Sequence, residues 1–254
     1  MQPLIANKLS LNVAKTEFML IGSKPIIKSI ANQQPNIAIE NKTIKQVWDS
    51  KSLGVTLDQH LSWKKNTDNI CKKIASGISA LRRAKDYVHK DTLLSIYNAL
   101  IHPYFTYCCE VWDVFSETQS KRLQKLQNRA ARIIANMSNI VDHEIALRSL
   151  EWKPLDIERQ KSKAKLMFKL LNNMGPKSLP YLVSRANQLI TNFVVLKKTL
   201  CLPQPRSNSM KKSLAFNGPQ VWNSLPNELK EISSLATFQR KIASHFPKTN
   251  YVLN

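Results

Sequence analysis

The sequence predicts a mainly α protein, with a small antiparallel β-sheet at its N-terminus, a helical bundle behind the sheet and a looser C-terminal region. Three observations predict this. Short apolar runs closed by turn residues are confined to positions 17–58, the apolar spacing turns helical at Leu61 and stays so to about Asn173, and beyond Pro180 proline and serine interrupt it. With 254 residues, 43% of them hydrophobic and 22% charged, the chain can bury a core and falls within globular usage, which excludes wholesale disorder. The implied division is 1–60 for the sheet, 61–178 for the helices and 179–254 for the looser part.

The β region is read from Phe18-Met19-Leu20-Ile21, Asn36 to Glu40, Ile44 to Trp48 and Leu53 to Leu57, each short and closed by Gly, Ser, Asn or Lys. Ser62 is placed to cap a first long helix, with Trp63, Ile70, Ile74, Ile78 and Leu81 on one face and Lys64, Lys65, Lys72, Arg82 and Arg83 on another. A second helix begins near Asp91 and carries Leu93, Ile96, Tyr97, Leu100 and Ile101 toward Pro103, which should kink or end it. Tyr104 to Trp112 is apolar enough to be buried. Glu117 to Ala135 repeats the two-faced design, setting Leu123, Leu126, Ala130 and Ile133 against Lys121, Lys125, Arg129 and Arg132. Pro154 suits the first turn of a helix that Asn172-Asn173-Met174-Gly175-Pro176 stops. Leu202 to Ser209 reads as an extended loop between Lys197-Lys198 and Lys211-Lys212. A short helix opens at Gly218-Pro219, and Leu235 to Phe246 forms a last amphipathic one.

Charge narrows the function. Thirty-eight Lys and Arg against 17 Asp and Glu give a net charge of +21, so attraction to a polyanion, nucleic acid first, is the default. The four cysteines, Cys71, Cys108, Cys109 and Cys201, have no zinc-site spacing, and no signal peptide or continuous apolar stretch of membrane-spanning length occurs, so an intracellular protein, cytoplasmic or nuclear and not membrane-bound, is expected. The five histidines lack H-E-x-x-H spacing, and five glycines leave no phosphate-cradling loop.

Several runs, in order, carry a resemblance: Asn7-Lys8-Leu9-Ser10-Leu11-Asn12-Val13-Ala14-Lys15-Thr16-Glu17-Phe18-Met19, Leu53-Gly54-Val55-Thr56-Leu57-Asp58 with Leu61-Ser62-Trp63, Ile96 to Pro103, Leu123 to Arg132, and Val221-Trp222-Asn223-Ser224-Leu225-Pro226. Together they resemble the end of the palm, the thumb and the downstream region of reverse transcriptases of non-long-terminal-repeat (LINE-type) retrotransposons. The resemblance implies that Asn12, Lys15 and Thr16 lie near the incoming nucleotide's phosphates. It implies too that Leu53, Gly54 and Val55 correspond to the hairpin gripping the primer end, and that the helices from Ser62 hold a template–primer duplex by its backbone. The basic stripes suit that task, since phosphate contacts position a duplex without reading its sequence.

The same resemblance marks a deficit. In the family the metal-binding aspartates precede the Asn7 run; here only Met1 to Ala6 precede it, no Asp-Asp doublet occurs, and Asp49, Asp58, Asp68, Asp86, Asp91, Asp113, Asp142 and Asp156 stand singly. Two-metal chemistry needs paired carboxylates. The leading expectation is therefore a truncated, inactive reverse transcriptase (RNA-directed DNA polymerase) piece that binds nucleic-acid duplexes nonspecifically and salt-sensitively. It has no catalytic residue, metal site or cofactor, and Mg²⁺ is expected only together with the upstream palm. One alternative is part of an active polymerase whose upstream exon is missing from the gene model; another is a domesticated basic scaffold that docks a protein. In all three cases residues 17–58 would expose apolar edges when separated from the rest of a palm.

Overall fold

A computed structural model describes residues 6–8, 10–30, 35–39, 41–113, 116–138, 143–175, 199–205, 210–211 and 213–246. Asp142, Lys197, Lys198, Arg206 to Ser209 and Lys212 lie outside them. The chain divides into two compact units, Met1–Asn69 and Ile70–Asn254, described here one at a time.

In the first unit the strands are short and form three two-stranded pairs; four overlap the apolar runs, while Lys42–Thr43 and Asp49–Ser52 fall between them, as the partners of hairpins. β1 (Glu17–Phe18) pairs in parallel with β4 (Lys45–Gln46), while β2 (Ala38–Ile39) with β3 (Lys42–Thr43), and β5 (Asp49–Ser52) with β6 (Val55–Asp58), are antiparallel. Between β1 and β2 the chain makes a helix the apolar pattern did not suggest, α1 (Lys24–Ser29); its signal is Pro25, pre-set for a first helical turn. Among the described residues of this unit the buried apolar side chains are Ile44, Val55 and Trp63. Ile21, Ile26, Ile37, Trp48, Leu53 and Leu61 are exposed.

Asp58, the last residue of β6, leads the chain into α2 (Lys64–Ala84). Its carboxylate accepts from the backbone N–H groups of His60 at 3.1 Å, Ser62 at 3.0 Å and Trp63 at 2.9 Å, and from the Ser62 hydroxyl at 3.1 Å. These bonds hold Leu61 (φ 47°) and Trp63 (φ 61°) in the left-handed region that side chains disfavour. Ser62, the expected cap, accepts only a long bond of 3.4 Å from the Lys64 N–H, so the side chain that organises the helix start is Asp58. Asp58 is also the cross-strand partner of Asp49, and two carboxylates so placed repel. Lys65 answers the second of them, with Nζ 2.5 Å from both Asp49 oxygens. Buried Asn66 then accepts the Thr56 N–H at 3.0 Å, seating the helix on β6.

The second unit is helical: the rest of α2, then α3 (Lys90–Leu100), α4 (His102–Thr106), α5 (Cys109–Trp112), α6 (Glu117–Ile134), α7 (His143–Ser149), α8 (Leu155–Leu171), α9 (Leu214–Ser224), α10 (Asn227–Lys230) and α11 (Leu235–His245). Its apolar faces follow the sequence reading at Ile74, Ile78, Leu81, Leu93, Tyr97, Ile101, Leu123 and Ala130, all buried, but Leu100, expected on the apolar face, and Tyr107 and Val111, in the stretch expected to be buried, are about half exposed. Pro103 ends α3 and sits in the first turn of α4. Gly77 permits a close approach, because a Cβ there would lie 2.6 Å from Ile101 Cγ1. Ser116 and Gln119 form a reciprocal capping box at the start of α6. Pro219 does not open α9; the helix starts at Leu214 and absorbs the proline, forfeiting only the bond to the Ala215 carbonyl.

The C-terminal helices, suggested by the sequence to be loose, are packed in their described part. Met167 and Phe168 of α8 share a buried cluster with Leu200, Trp222, Leu225, Leu229, Phe238 and Ile242, and the Phe168 and Phe238 rings stack at 4.4 Å. Lys153, just before α8, donates to the Ala243 and Phe246 carbonyls and so caps the end of α11. Trp152 stacks on Tyr97 at 4.0 Å. No helix among the described residues is long and apolar enough to cross a membrane.

Two predictions follow from this packing. Asp58→Ala should destabilise the fold by about 2–4 kcal/mol, because several backbone donors lose a charged acceptor together, and Asp58→Asn by less. Hydrogen exchange at the His60, Ser62 and Trp63 amides checks it, and unchanged protection would refute the assignment. In the second unit burial pushes the Cys109 thiol from its ordinary 9.0 up to about 12, and burial raises Tyr97 as well. Below pH 9 the thiol is protonated folded and unfolded alike; above it the unfolded thiol ionises first, so stability falls as pH rises from 9 to about 12. Thermal midpoints should drop on moving from neutral pH to about pH 10, and drop less in Cys109→Ala.

Candidate nucleic-acid interface

The Asn-x-x-Lys-Thr run is a closed local turn. Asn12 caps a single 3₁₀ turn, Val13–Lys15: its Oδ1 accepts the Lys15 N–H at 3.2 Å, and the Thr16 hydroxyl donates to the Asn12 carbonyl at 2.9 Å. Asn12 and Thr16 are therefore used in shaping the turn, while the exposed Lys15 side chain is presented by it. The sequence reading did not foresee that turn, although its signal is an Asn whose side chain can reach the backbone a few residues on.

The hairpin tip holds the second group. Leu53 at φ 45° and Gly54 at φ 87° both occupy the left-handed region, which a two-residue turn of the type favoured in hairpins demands of its central pair. Gly54 suits its place; Leu53 does not, and it is 87% exposed. Val55 belongs instead to the buried core. The three residues thus divide into a solvent-facing tip and an anchor.

The basic faces of the helices are exposed in large part. On α2, Lys64 and Lys65 precede the unit boundary and Lys72, Arg82 and Arg83 follow it, all at the surface, with Lys65 held by Asp49. On α6, Lys121, Lys125 and Arg129 are exposed, and so is Arg122, a neighbour the apolar periodicity did not single out. Arg132 is only half-buried surface, less available than the other three. Lys121 lies 2.6 Å from Glu117 one turn earlier, and its hydrogen bond and charge hold the Glu117 carboxyl below the usual carboxylate range. Lys73 sits over the Tyr104 ring, 5.1 Å from its centroid.

Not every cation faces solvent. Arg159 and Lys163 on α8 each lie 2.6 Å from an oxygen of Asp113, and Lys161 lies 2.7 Å from Glu158; all three cations are buried. Lys230 is buried too, donating to the Asn223 carbonyl at 2.9 Å, and desolvation lowers its pKa. For Arg159 and Lys163 the sequence hid this, because Asp113 stands far from them along the chain. The resemblance to polymerases implies magnesium, but among the described residues no three His, Cys, Asp or Glu side chains come together to hold an ion. The described residues do not fit that group.

The motif resemblance to reverse transcriptases has a counterpart in the comparisons. The chain is similar to a probable RNA-directed DNA polymerase from transposon X-element of Drosophila melanogaster, 27% identical over 120 residues, and to one from transposon BS of the same organism, 26% identical over 113. The likeness drawn from its motifs, to reverse transcriptases of non-long-terminal-repeat transposons, therefore holds. The matches take in 46% and 43% of this chain but only 13% and 12% of those relatives. No protein-family model and no solved structure matches.

The hairpin tip yields a prediction. Replacing Leu53 by Asn, which tolerates the left-handed region, should stabilise the β5–β6 hairpin by about 1 kcal/mol. Slower amide exchange along β5 and β6 is the expected readout; faster exchange would mean that Leu53 makes a stabilising contact outweighing its strain.

Proposed function

We propose that these 254 residues hold a nucleic-acid duplex of the template–primer kind through its sugar–phosphate backbone, without sequence preference, and add no nucleotide themselves. The observation that carries the reading is the recurrence of one design on two helices: α2 and α6 each bury an apolar face and turn a row of cations to solvent. Lys64, Lys72, Arg82, Arg83, Lys121, Lys125 and Arg129 make the phosphate contacts, with Lys65 joining them if the nucleic acid outcompetes Asp49 and Arg132 contributing least. The exposed Leu53-Gly54 tip packs on the primer end, where the lack of a side chain at Gly54 lets backbone and nucleic acid approach. The chain works where nucleic acid is, in the nucleus or cytoplasm.

Each phosphate neutralised releases counterions, so the logarithm of affinity falls linearly with that of salt. For the double variant Lys125→Ala/Arg129→Ala the slope should become shallower by about 2, with affinity lost evenly across duplex sequences. Filter binding from low to physiological salt measures this. Binding indifferent to salt would overturn the reading, as would primer extension by the purified chain.

A second reading is favoured by the relatives, of which the matched stretch is a small part. In it the chain acts within a longer polymerase that supplies the metal-binding aspartates, and Lys15 balances charge on the leaving pyrophosphate. An open frame carrying those aspartates upstream of Met1 in the transcript would support it, and stop codons there would rule it out.

A further inference from the structure

The loop between α2 and α3 carries a feature that backbone gripping does not use. At the end of α2 the Ala84 carbonyl accepts the N–H groups of Tyr87 at 2.9 Å and Val88 at 3.2 Å, a tight turn that fixes Tyr87 on the surface. Its side chain is 87% exposed. Among the described residues other Tyr and Trp side chains of the second unit are placed differently: Tyr97 is stacked on Trp152, Trp112 and Trp222 are buried, Tyr104 lies under Lys73, and Tyr107 is about half exposed.

The charges beside Tyr87 select its partner. Arg82, Arg83, Lys85 and Lys90 flank it and are exposed, and the one intervening acid, Asp86, lies 3.8 Å from the Lys85 ammonium. An apolar protein surface gains little from a ring in so basic a stretch of chain, whereas a polyanion with flat aromatic faces satisfies both. Inside a duplex those faces are hidden by stacking, so such a ring meets them only on an unpaired nucleotide or at a duplex end.

We infer that Tyr87 is a stacking platform for an unpaired nucleotide, with Arg82 and Arg83 on the neighbouring phosphates, so that the chain prefers a duplex continued by a single strand over a blunt one. The inference rests on the nucleic-acid reading above and deepens it. A ring on two rotatable bonds, held by a fixed turn, loses little conformational freedom on stacking.

The test uses the full chain and three fluorescently labelled RNA–DNA duplexes: blunt, with a single-stranded extension, and with the same extension made abasic. The wild type should bind the extended duplex about tenfold more tightly than the other two, and Tyr87→Ala should remove that ratio while Tyr87→Phe and Tyr87→Trp keep it. A ratio that survives Tyr87→Ala, or a wild type without preference, overturns the inference and leaves duplex binding standing. If the wild type binds none of the three, the nucleic-acid reading itself fails, and this one with it.

Discussion

The carboxylate of Asp58 is the constraint on which the N-terminal unit depends. It converts the end of a two-stranded hairpin into the start of a long helix by gathering three backbone donors and a hydroxyl that would otherwise point at each other across a strained loop. With so few apolar side chains buried in that unit, burial alone does not fix where the helix begins. The facing pair Asp49 and Asp58 explains why Lys65 is where it is: one carboxylate is neutralised by an ammonium, the other by amide dipoles. A residue that reads as a free phosphate ligand is thus also the counterion of the hairpin.

The second unit solves a different problem, keeping long helices with many cations together. Polar side chains inside it form networks. Gln124 donates to Gln127 and Asn128 and accepts the Leu155 N–H at 2.9 Å, while Gln127 donates to the Lys153 carbonyl, so that α6 orients the chain entering α8. Asp113 neutralises two buried cations at once, and breaking such a pair from one side leaves uncompensated charge in a poor solvent for it. These groups do not drive folding as apolar burial does; they decide which way the helices meet.

How much of this could be read beforehand follows from the range of each signal. The helix faces were legible because Ile74, Ile78 and Leu81, or Leu123 and Ala130, repeat within a few residues, and Pro103 and Pro154 punctuate locally. The exposed basic rows were legible for the same reason. The pairing of β1 with β4 joins residues far apart in sequence, as do Arg159 with Asp113 and Lys153 with the end of α11, and no periodicity reports them. The packing of α9 to α11 against α8 escaped notice because its anchors, Trp222, Phe238 and Ile242, are separated by turns and prolines that look like loosening. Of the candidate site, the surface cations were foreseen; the turn bonds of Asn12 and Thr16, the burial of Val55 and the pairing of Lys65 with Asp49 were not, since each competes with the role its residue type suggests.

The cations folded inward have an energetic corollary. Arg159, Lys161, Lys163 and Lys230 offer nothing to a ligand while the chain is folded, yet all become available once it opens. Unfolding therefore adds cations within a polyanion's reach, and whatever binds the unfolded chain preferentially shifts the equilibrium its way. At low ionic strength a long polyphosphate or heparin that engages these freed cations pulls against the folded architecture, and added salt protects the protein by weakening that pull.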